Sequence, residues 1–232
     1  MKRVLLKLSG EALAGDNTTG FDDEIILKVA AQVKQIVEQG VNVGIVIGGG
    51  NFWRGRTNES IDRTKADQIG MLATVMNSIY VSEMFRSVGM YTNILTPFEC
   101  GSFTKIFSKD RANKYFEKDM VVFFAGGTGH PFFSTDTATT LRAAEIDADA
   151  ILLAKSIDGV YDSDPKQNPN AVRYDEITIQ DVIDQKLEVV DLTASILCME
   201  NKIPMYVFAL QEENSIVKAI SGDFNGTKVI VS

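Results

Sequence analysis

The chain has 232 residues, 45% hydrophobic and 23% charged, which is the make-up of an ordinary globular protein with room for one large or two small domains. Its 23 Lys+Arg against 31 Asp+Glu give a net charge of −8, which argues against a non-specific nucleic-acid binder and against a protein drawn to anionic membranes. It leaves room for a local basic pocket around one phosphorylated ligand.

Further classes fall away on single residue types. Cys100 and Cys198 are far apart and form neither a disulfide framework nor a CxxC metal spacing, so they read as reduced cytosolic thiols. Met1-Lys2-Arg3 followed by Val4-Leu5-Leu6 resembles the start of a signal peptide, but Lys7 interrupts the apolar run too early for an h-region. No run approaches membrane-spanning length, and the expected location is the cytoplasm. His130 is the single histidine, so a histidine metal cluster is ruled out; no GxSxG elbow is present. Chemistry must run mainly on lysine, arginine, carboxylates and backbone.

Along the chain, strand-like and helix-like segments alternate. Val4–Leu8 reads as a strand. Asp22 is placed to cap a helix with apolar positions Ile25, Ile26, Val29, Val33, Ile36 and Val37, closed by Gly40. Val41–Ile47 is a second strand, followed at once by Gly48-Gly49-Gly50-Asn51. A long helix is predicted over Arg63–Ser87, then a strand over Tyr91–Leu95, a short helix over Ser108–Phe116 and a buried strand over Met120–Ala125. Ser134-Thr135-Asp136 opens an alanine-rich helical pattern, and Ala150–Ala154 is another strand. Helical patterns near Thr178–Gln185, Asp191–Asn201 and Asn214–Ser221 separate the last strands, Pro204–Ala209 and Lys228–Val231. This alternation predicts an α/β fold, a mostly parallel sheet covered on both faces. There is no internal repeat or low-complexity tract; Lys155–Tyr174, rich in Asp, Pro and Asn, is the longest irregular stretch and is expected to be functional.

Three strand-to-helix junctions carry most of the functional signal. Phe123-Phe124-Ala125-Gly126-Gly127-Thr128-Gly129-His130-Pro131-Phe132-Phe133-Ser134-Thr135-Asp136 runs from a buried strand through a glycine-rich loop to a helix start, where backbone N–H groups and the helix dipole favour an anion. Gly48-Gly49-Gly50-Asn51-Phe52-Trp53-Arg54-Gly55 lets backbone approach a ligand closely, with Arg54 able to fork onto a phosphate. Lys7-Leu8-Ser9-Gly10 ends the first strand, where α/β sheets bind ligands. Neither a GxxxxGK[ST] nor a GxGxxG pattern with a downstream acidic residue occurs, so the P-loop and dinucleotide readings fail. Two separate anion loops suggest two phosphorylated ligands. Asp67, near the start of the long helix, is either a first-turn carboxylate favoured by the dipole or an acceptor for ribose hydroxyls. Asp158, Asp162 and Asp164 alternate like a calcium loop, but the sixth position is Ser163 and the twelfth Pro169, which fails the EF-hand pattern. Tyr161 either flanks a purine or packs the loop.

Taken in order, these residues resemble the amino-acid kinase superfamily and, within it, the bacterial uridylate (UMP) kinases. The resemblance covers nearly the whole chain: KLSGEAL at Lys7–Leu13, GGGNFWRG at Gly48–Gly55, DRTKADQIGMLATVMN at Asp62–Asn77, GTGHPFFSTD at Gly127–Asp136 and DGVY…DP at Asp158–Pro165. His130 stands where the family often has Asn, and Ser134 where it often has Thr; both keep hydrogen-bonding capacity. The resemblance implies a single three-layer α/β/α sandwich over residues 1–232, with an acceptor-side lobe over about 1–145 and an ATP-side lobe over about 146–232. It implies transfer of the γ-phosphoryl group of ATP to UMP, with Mg²⁺, in pyrimidine nucleotide biosynthesis. ATP is then expected at Lys7, Leu8, Ser9, Gly10, Gly50, Arg54, Lys155, Tyr161 and Asp164. UMP is expected at Gly49, Asp67, Thr128, Gly129, His130, Pro131, Phe132, Phe133, Ser134 and Thr135, with Lys7, Arg54 and Asp136 as the catalytic set. Such enzymes are generally homohexamers, activated by GTP and inhibited by UTP.

Two alternatives stand beside this reading. One is another kinase of the superfamily acting on a carboxylate, a carbamate or an isoprenoid phosphate, against which the Asp62–Asn77 block speaks. The other is a non-catalytic nucleotide sensor or storage protein on the same fold.

Overall fold

The computed structural model describes residues 1–53 and 60–231. Its core is one nine-stranded sheet built from β1 (Arg3–Leu8), β2 (Asn42–Ile47), β3 (Thr92–Thr96), β4 (Lys105–Ile106), β5 (Val121–Phe124), β6 (Ala150–Lys155), β9 (Glu176–Thr178), β10 (Met205–Ala209) and β11 (Gly226–Ile230). The order across the sheet is β4-β3-β5-β2-β1-β6-β10-β11-β9. Every neighbouring pair described is parallel except β10 with β11. A separate antiparallel pair, β7 (Val160–Tyr161) and β8 (Arg173–Tyr174), stands off the main sheet.

Helices cover both faces, as near-continuous apolar central strands require. Because side chains alternate along a strand, each one feeds two cores. Val4, Leu6 and Leu8 of β1, with Val43, Ile45 and Ile47 of β2, pack against α2 (Asp23–Glu38), α3 (Arg63–Ser87) and α8 (Ser215–Ser221). On the opposite face Leu5, Val46, Val122, Phe124, Ile151 and Leu153 pack against α4 (Lys109–Phe116), α5 (Thr135–Glu145), α6 (Ile179–Asp184) and α7 (Leu192–Glu200). The expected α/β/α sandwich is therefore the observed one.

Helix starts follow side-chain caps. Asp22 accepts from Glu24 and Ile25 N–H, Asp62 from Lys65, Ser108 from Arg111, Ser134 from Asp136 and Thr137, Thr178 from Asp181 and Asp191 from Ala194. Several short elements were not anticipated: α1 (Gly10–Ala14), the two-residue strands β4, β7 and β8, and three-residue β9. Elements this short show no period to read. As a result Lys155–Tyr174, expected to be wholly irregular, contains a hairpin of its own. The strand expected over Tyr91–Leu95 runs one residue later, Thr92–Thr96, and the last strand begins at Gly226 rather than Lys228.

The two cysteines are free and differ sharply in setting. Cys198 is fully buried on the inner side of α7, where burial, only partly offset by its contact to Thr140 Oγ1 at 3.8 Å, pushes its thiol up to about 11. Cys100 is partly exposed in the turn after β3. A thiol-specific disulfide reagent should therefore titrate one thiol in the native protein and two in denaturant. Two rapid native thiols would contradict the burial of Cys198.

Candidate functional site

The site forms at the C-terminal ends of the parallel strands, and strand parity sets its centre. Lys7 lies two residues beyond Leu5 on β1, and Lys155 lies two beyond Leu153 on β6, so both side chains leave the sheet on the face covered by α5. The two strands are parallel neighbours with Lys7 opposite Leu153. Asp136, in the first turn of α5, meets them: Lys7 Nζ is 2.8 Å from Asp136 Oδ1, with both side chains largely shielded. Burial lowers the pKa of Lys155 below the usual lysine value; Asp136 opposes the shift and the Lys7 charge adds to it. Lys155 Nζ also donates to Val189 O. The centre is thus the Lys7–Asp136 ion pair at the mouth of the sheet, with Lys155 close enough to feel both charges.

Lys7, Ser9, Gly10 and Gly50 come together at this mouth. Ser9 caps α1 through Ala12 N–H at 3.1 Å. Gly10 must be glycine: a Cβ there would lie 2.6 Å from Gly48 O and 2.4 Å from Asn51 Oδ1. Leu8 is completely buried in the core, so it can offer a ligand only backbone. Arg54, expected to be catalytic, lies outside the described residues.

One flank is a cavity of about 200 Å³ lined by Gly49, Asp67, Thr128, His130, Phe133, Ser134 and Thr135 among the expected residues. Gly127 also lines it, and Gly126, Gly127 and Gly129 all hold positive φ, which keeps this loop open. Trp53, Ala66, Gly70, Met71 and Thr74 line it too and were missed. Their signal is helical spacing: Gly70, Met71 and Thr74 follow Asp67 at three, four and seven residues, on one face of α3. Thr74 Oγ1 accepts from Gly126 N–H at 2.8 Å and so joins α3 to the glycine loop.

Asp67 is more than an exposed first-turn carboxylate. Its Oδ2 accepts from Phe132 N–H at 2.8 Å, and Arg63 Nε donates to both oxygens at 3.0 Å. Phe132 has φ 71° and an exposed ring beneath the Arg63 guanidinium, 5.6 Å from its centroid; only Phe133 faces the cavity. Ser134 spends its single proton on Asp191 Oδ2 and accepts from two α5 amides, so that part of the expected anion cradle is filled by the protein itself. Asp191 also takes Thr137 Oγ1 and caps α7, a role that sequence inspection did not single out. Thr128 Oγ1 and the backbone of His130 bond each other at 3.2 Å, and His130 itself is exposed at the rim.

The other flank is a cavity of about 430 Å³ around Lys155, Tyr161, Asp162, Asp164, Lys186 and Val189. Next to it a cavity of about 720 Å³ shares Lys155 and reaches Asp136 and Asp191. Tyr161 is held by Asp158: the hydrogen bond to that carboxylate raises the phenol's pKa. Burial works against the Asp158 charge, but the Tyr161 hydrogen bond and Arg173 outweigh it and leave the carboxyl below the usual aspartate value. Among the described residues no three His, Cys, Asp or Glu side chains cluster as a metal cage.

The glycine loop after β2 is locked from beneath by two buried amides. Asn77 Nδ2 donates to Gly48 O and to Asn51 Oδ1, each at 2.7 Å, while Asn51 Nδ2 donates to Asn77 Oδ1 at 3.1 Å and Gly20 O at 2.8 Å. All four amide hydrogens are used. Asn77→Ala should cost about 2–4 kcal/mol in urea unfolding, because it strands a buried carbonyl and the Asn51 amide. A loss below about 0.5 kcal/mol would contradict that role.

Comparison with known proteins places this geometry. The family model "Amino acid kinase family" matches residues 2–209. The structure of a UMP kinase from Bacillus anthracis superposes with a TM-score of 0.94 at 36% identity, covering 99% of this chain and 96% of that one. A UMP kinase from Ureaplasma parvum gives 0.93 at 37% identity, with 99% and 98% covered. A uridylate kinase from Archaeoglobus fulgidus gives 0.74 at 27%, with 99% and 100% covered.

Proposed function

We propose, since the chain belongs to the amino acid kinase family and is most readily grouped there with the UMP kinases, that it transfers the γ-phosphoryl group of ATP to UMP, giving UDP and ADP. The observation that carries the mechanism is the Lys7–Asp136–Lys155 cluster set between two cavities. ATP occupies the side of Lys155, Tyr161 and Asp164, and UMP the side of Asp67, Thr128 and Phe133. The division follows the two lobes, about 1–145 and about 146–232.

The chemistry needs little from the protein beyond charge and position. The acceptor is a phosphate anion, so its oxygen attacks the γ-phosphorus without a base to deprotonate it. The bond between that phosphorus and the β–γ bridging oxygen breaks, and ADP leaves with the electron pair. Catalysis is then alignment of two polyanions and neutralisation of the charge on the transferred group. Lys7 supplies the cation at the transferred phosphoryl, and Asp136 orients it. Lys155, partly desolvated, supplies the second cation on the ATP side, and the glycine-loop amides add donors. Arg54 belongs to the same set by family resemblance alone.

The donor set suits Mg²⁺ brought by the nucleotide: a cation that keeps several waters and binds phosphate oxygens needs no protein cage. When bound it neutralises charge on the β- and γ-phosphates. Asp136 is the carboxylate that would hold it on the protein side.

A homohexamer is supported by the outer face of α3, where Ile69, Leu72, Met76, Ile79 and Tyr80 are exposed in helical register. Control by GTP and UTP is proposed on the family alone, as is a place in pyrimidine nucleotide biosynthesis. The cytoplasm fits two free thiols, and no described helix is long and apolar enough to cross a membrane. Neither alternative reading has an observation in its favour.

Coupled measurement of ADP release with UMP, CMP, dTMP and AMP as acceptors should show a clear preference for UMP. Equal rates with all four would overturn the substrate assignment, and binding without turnover would favour a sensor. Lys7→Ala should lower kcat about 100- to 1000-fold with native circular dichroism retained. Turnover within threefold of wild type would remove Lys7 from the transfer step.

A further inference from the structure

The hairpin beside the ATP-side cavity of about 430 Å³ carries a cluster that the transfer step does not use. In it Tyr161 and Arg173 are paired residues on β7 and β8, and both turn onto the carboxylate of Asp158 from the preceding turn. Tyr161 Oη donates to Asp158 Oδ1 at 2.8 Å, and Arg173 Nη1 donates to Asp158 Oδ2 at 2.7 Å. Gly159 makes room for this: a Cβ there would lie 2.6 Å from Arg173 Cδ and 2.6 Å from Thr227 Oγ1. The hairpin is fastened to the main sheet through Thr227 of β11, whose Oγ1 accepts from Val160 N–H at 2.8 Å and donates to Tyr174 O. The loop between the strands is closed by Asp162 N–H to Val172 O at 3.1 Å and Val172 N–H to Asp162 Oδ1 at 3.0 Å.

Gly159, Val160 and Tyr161 through Pro165 line the cavity, whereas Asp158 does not. The single phenolic proton of Tyr161 is directed at Asp158, so the residue presents its ring rather than a donor to an occupant. The Arg173 charge is likewise spent on Asp158 and is not a free phosphate clamp.

We propose that Asp158 is a positioning residue for the donor nucleotide, acting through Tyr161 and Arg173 to hold the tyrosine ring and the hairpin as one wall of the ATP-side cavity. The proposal rests on reading that cavity as the ATP side. The side chain lies outside the cavity; it sets how the β7–β8 hairpin stands off the main sheet and so the place of Tyr161 and Asp164. Its loss should weaken ATP and leave UMP untouched, because the acceptor cavity shares no residue with the hairpin.

Calorimetric titration of a non-hydrolysable ATP analogue and, separately, of UMP into wild type, Tyr161→Phe, Asp158→Asn and the double variant tests this. The expected result is an ATP-analogue Kd raised about threefold by Tyr161→Phe and about tenfold by Asp158→Asn. The double variant should be no weaker than Asp158→Asn, since the hydroxyl acts only through that carboxylate. The Kd for UMP should stay within twofold. An unchanged analogue Kd in Asp158→Asn, additive effects, or equal weakening of UMP would overturn the proposal. Circular dichroism and Tm report folding; should Asp158→Asn fail to fold, Asp158→Glu takes its place in the same cycle with Tyr161→Phe. A wild type that binds the analogue but phosphorylates no UMP overturns the kinase assignment and leaves the positioning role standing. A wild type that does not bind the analogue overturns the positioning role.

Discussion

The constraint on which the rest of the site depends is the period of two along a strand. It sends Leu5 and Lys7 to one face of β1, and Leu153 and Lys155 to the same face of the neighbouring parallel strand. The inner member of each pair is buried beneath the helices that cover this face; the outer member reaches the open end of the sheet. A helix laid across these strands must begin somewhere near that end, and α5 begins with Ser134 as cap and Asp136 in its first turn. Two cations and one anion are thereby forced together at a place where backbone amides also point outward. A shift of either strand by one residue would turn its lysine onto the opposite face, into the apolar layer of α2, α3 and α8. Packing and chemistry are fixed by the same register.

Keeping this cluster hollow is the complementary problem, and the protein solves it with groups that satisfy one another. Asn51 and Asn77 use all their amide hydrogens on each other and on two backbone carbonyls, which holds the glycine loop without placing a side chain in the cleft. Thr74 holds Gly126 N–H, Asp67 holds Phe132 N–H, and Asp191 holds Ser134 and Thr137. Each tie runs from a helix to a loop. Fully paired buried polar groups of this kind rigidify, whereas a single missing partner carries the whole desolvation cost.

Much of this was legible in the sequence. The large elements follow from apolar period and caps: Asp22, Asp62 and Ser108 stand where their helices begin, and the bounds of α3 are those expected. The glycine loops and Lys7, Asp67 and Thr128 were visible because strand, glycine run and helix start form a local pattern. What was not legible depends on contacts between distant segments. Asp191 is an ordinary helix cap until Ser134, 57 residues away, is seen to bond it. Met71 looks like a core residue, and only the placing of Asp67 turns its helix face toward the cavity. The β7–β8 hairpin escapes notice because two residues show no period, and its stability comes from Thr227 in the last strand.

The distribution of protons among these groups says what kind of ligand the cleft is built for. Ser134 and Tyr161 each spend their one hydroxyl proton on a carboxylate, and Thr128 spends its own on a neighbouring carbonyl. Side-chain hydroxyls that sequence inspection would offer to a substrate are thus engaged in holding loops and helices. What faces the open centre is different: two ammonium groups beside Asp136, and loop backbone held open by positive-φ glycines. The two lysines stand beside Asp136, with Glu188 also acting on Lys155, in a chain whose overall charge is −8. A polyanion set there pairs with both ammonium groups and offsets the cost that burial places on the charge of Lys155. The overall negative charge and the lysines at the mouth of the sheet are therefore complementary: among the described residues the paired ammonium groups of Lys7 and Lys155 set a local cationic point within an acidic chain.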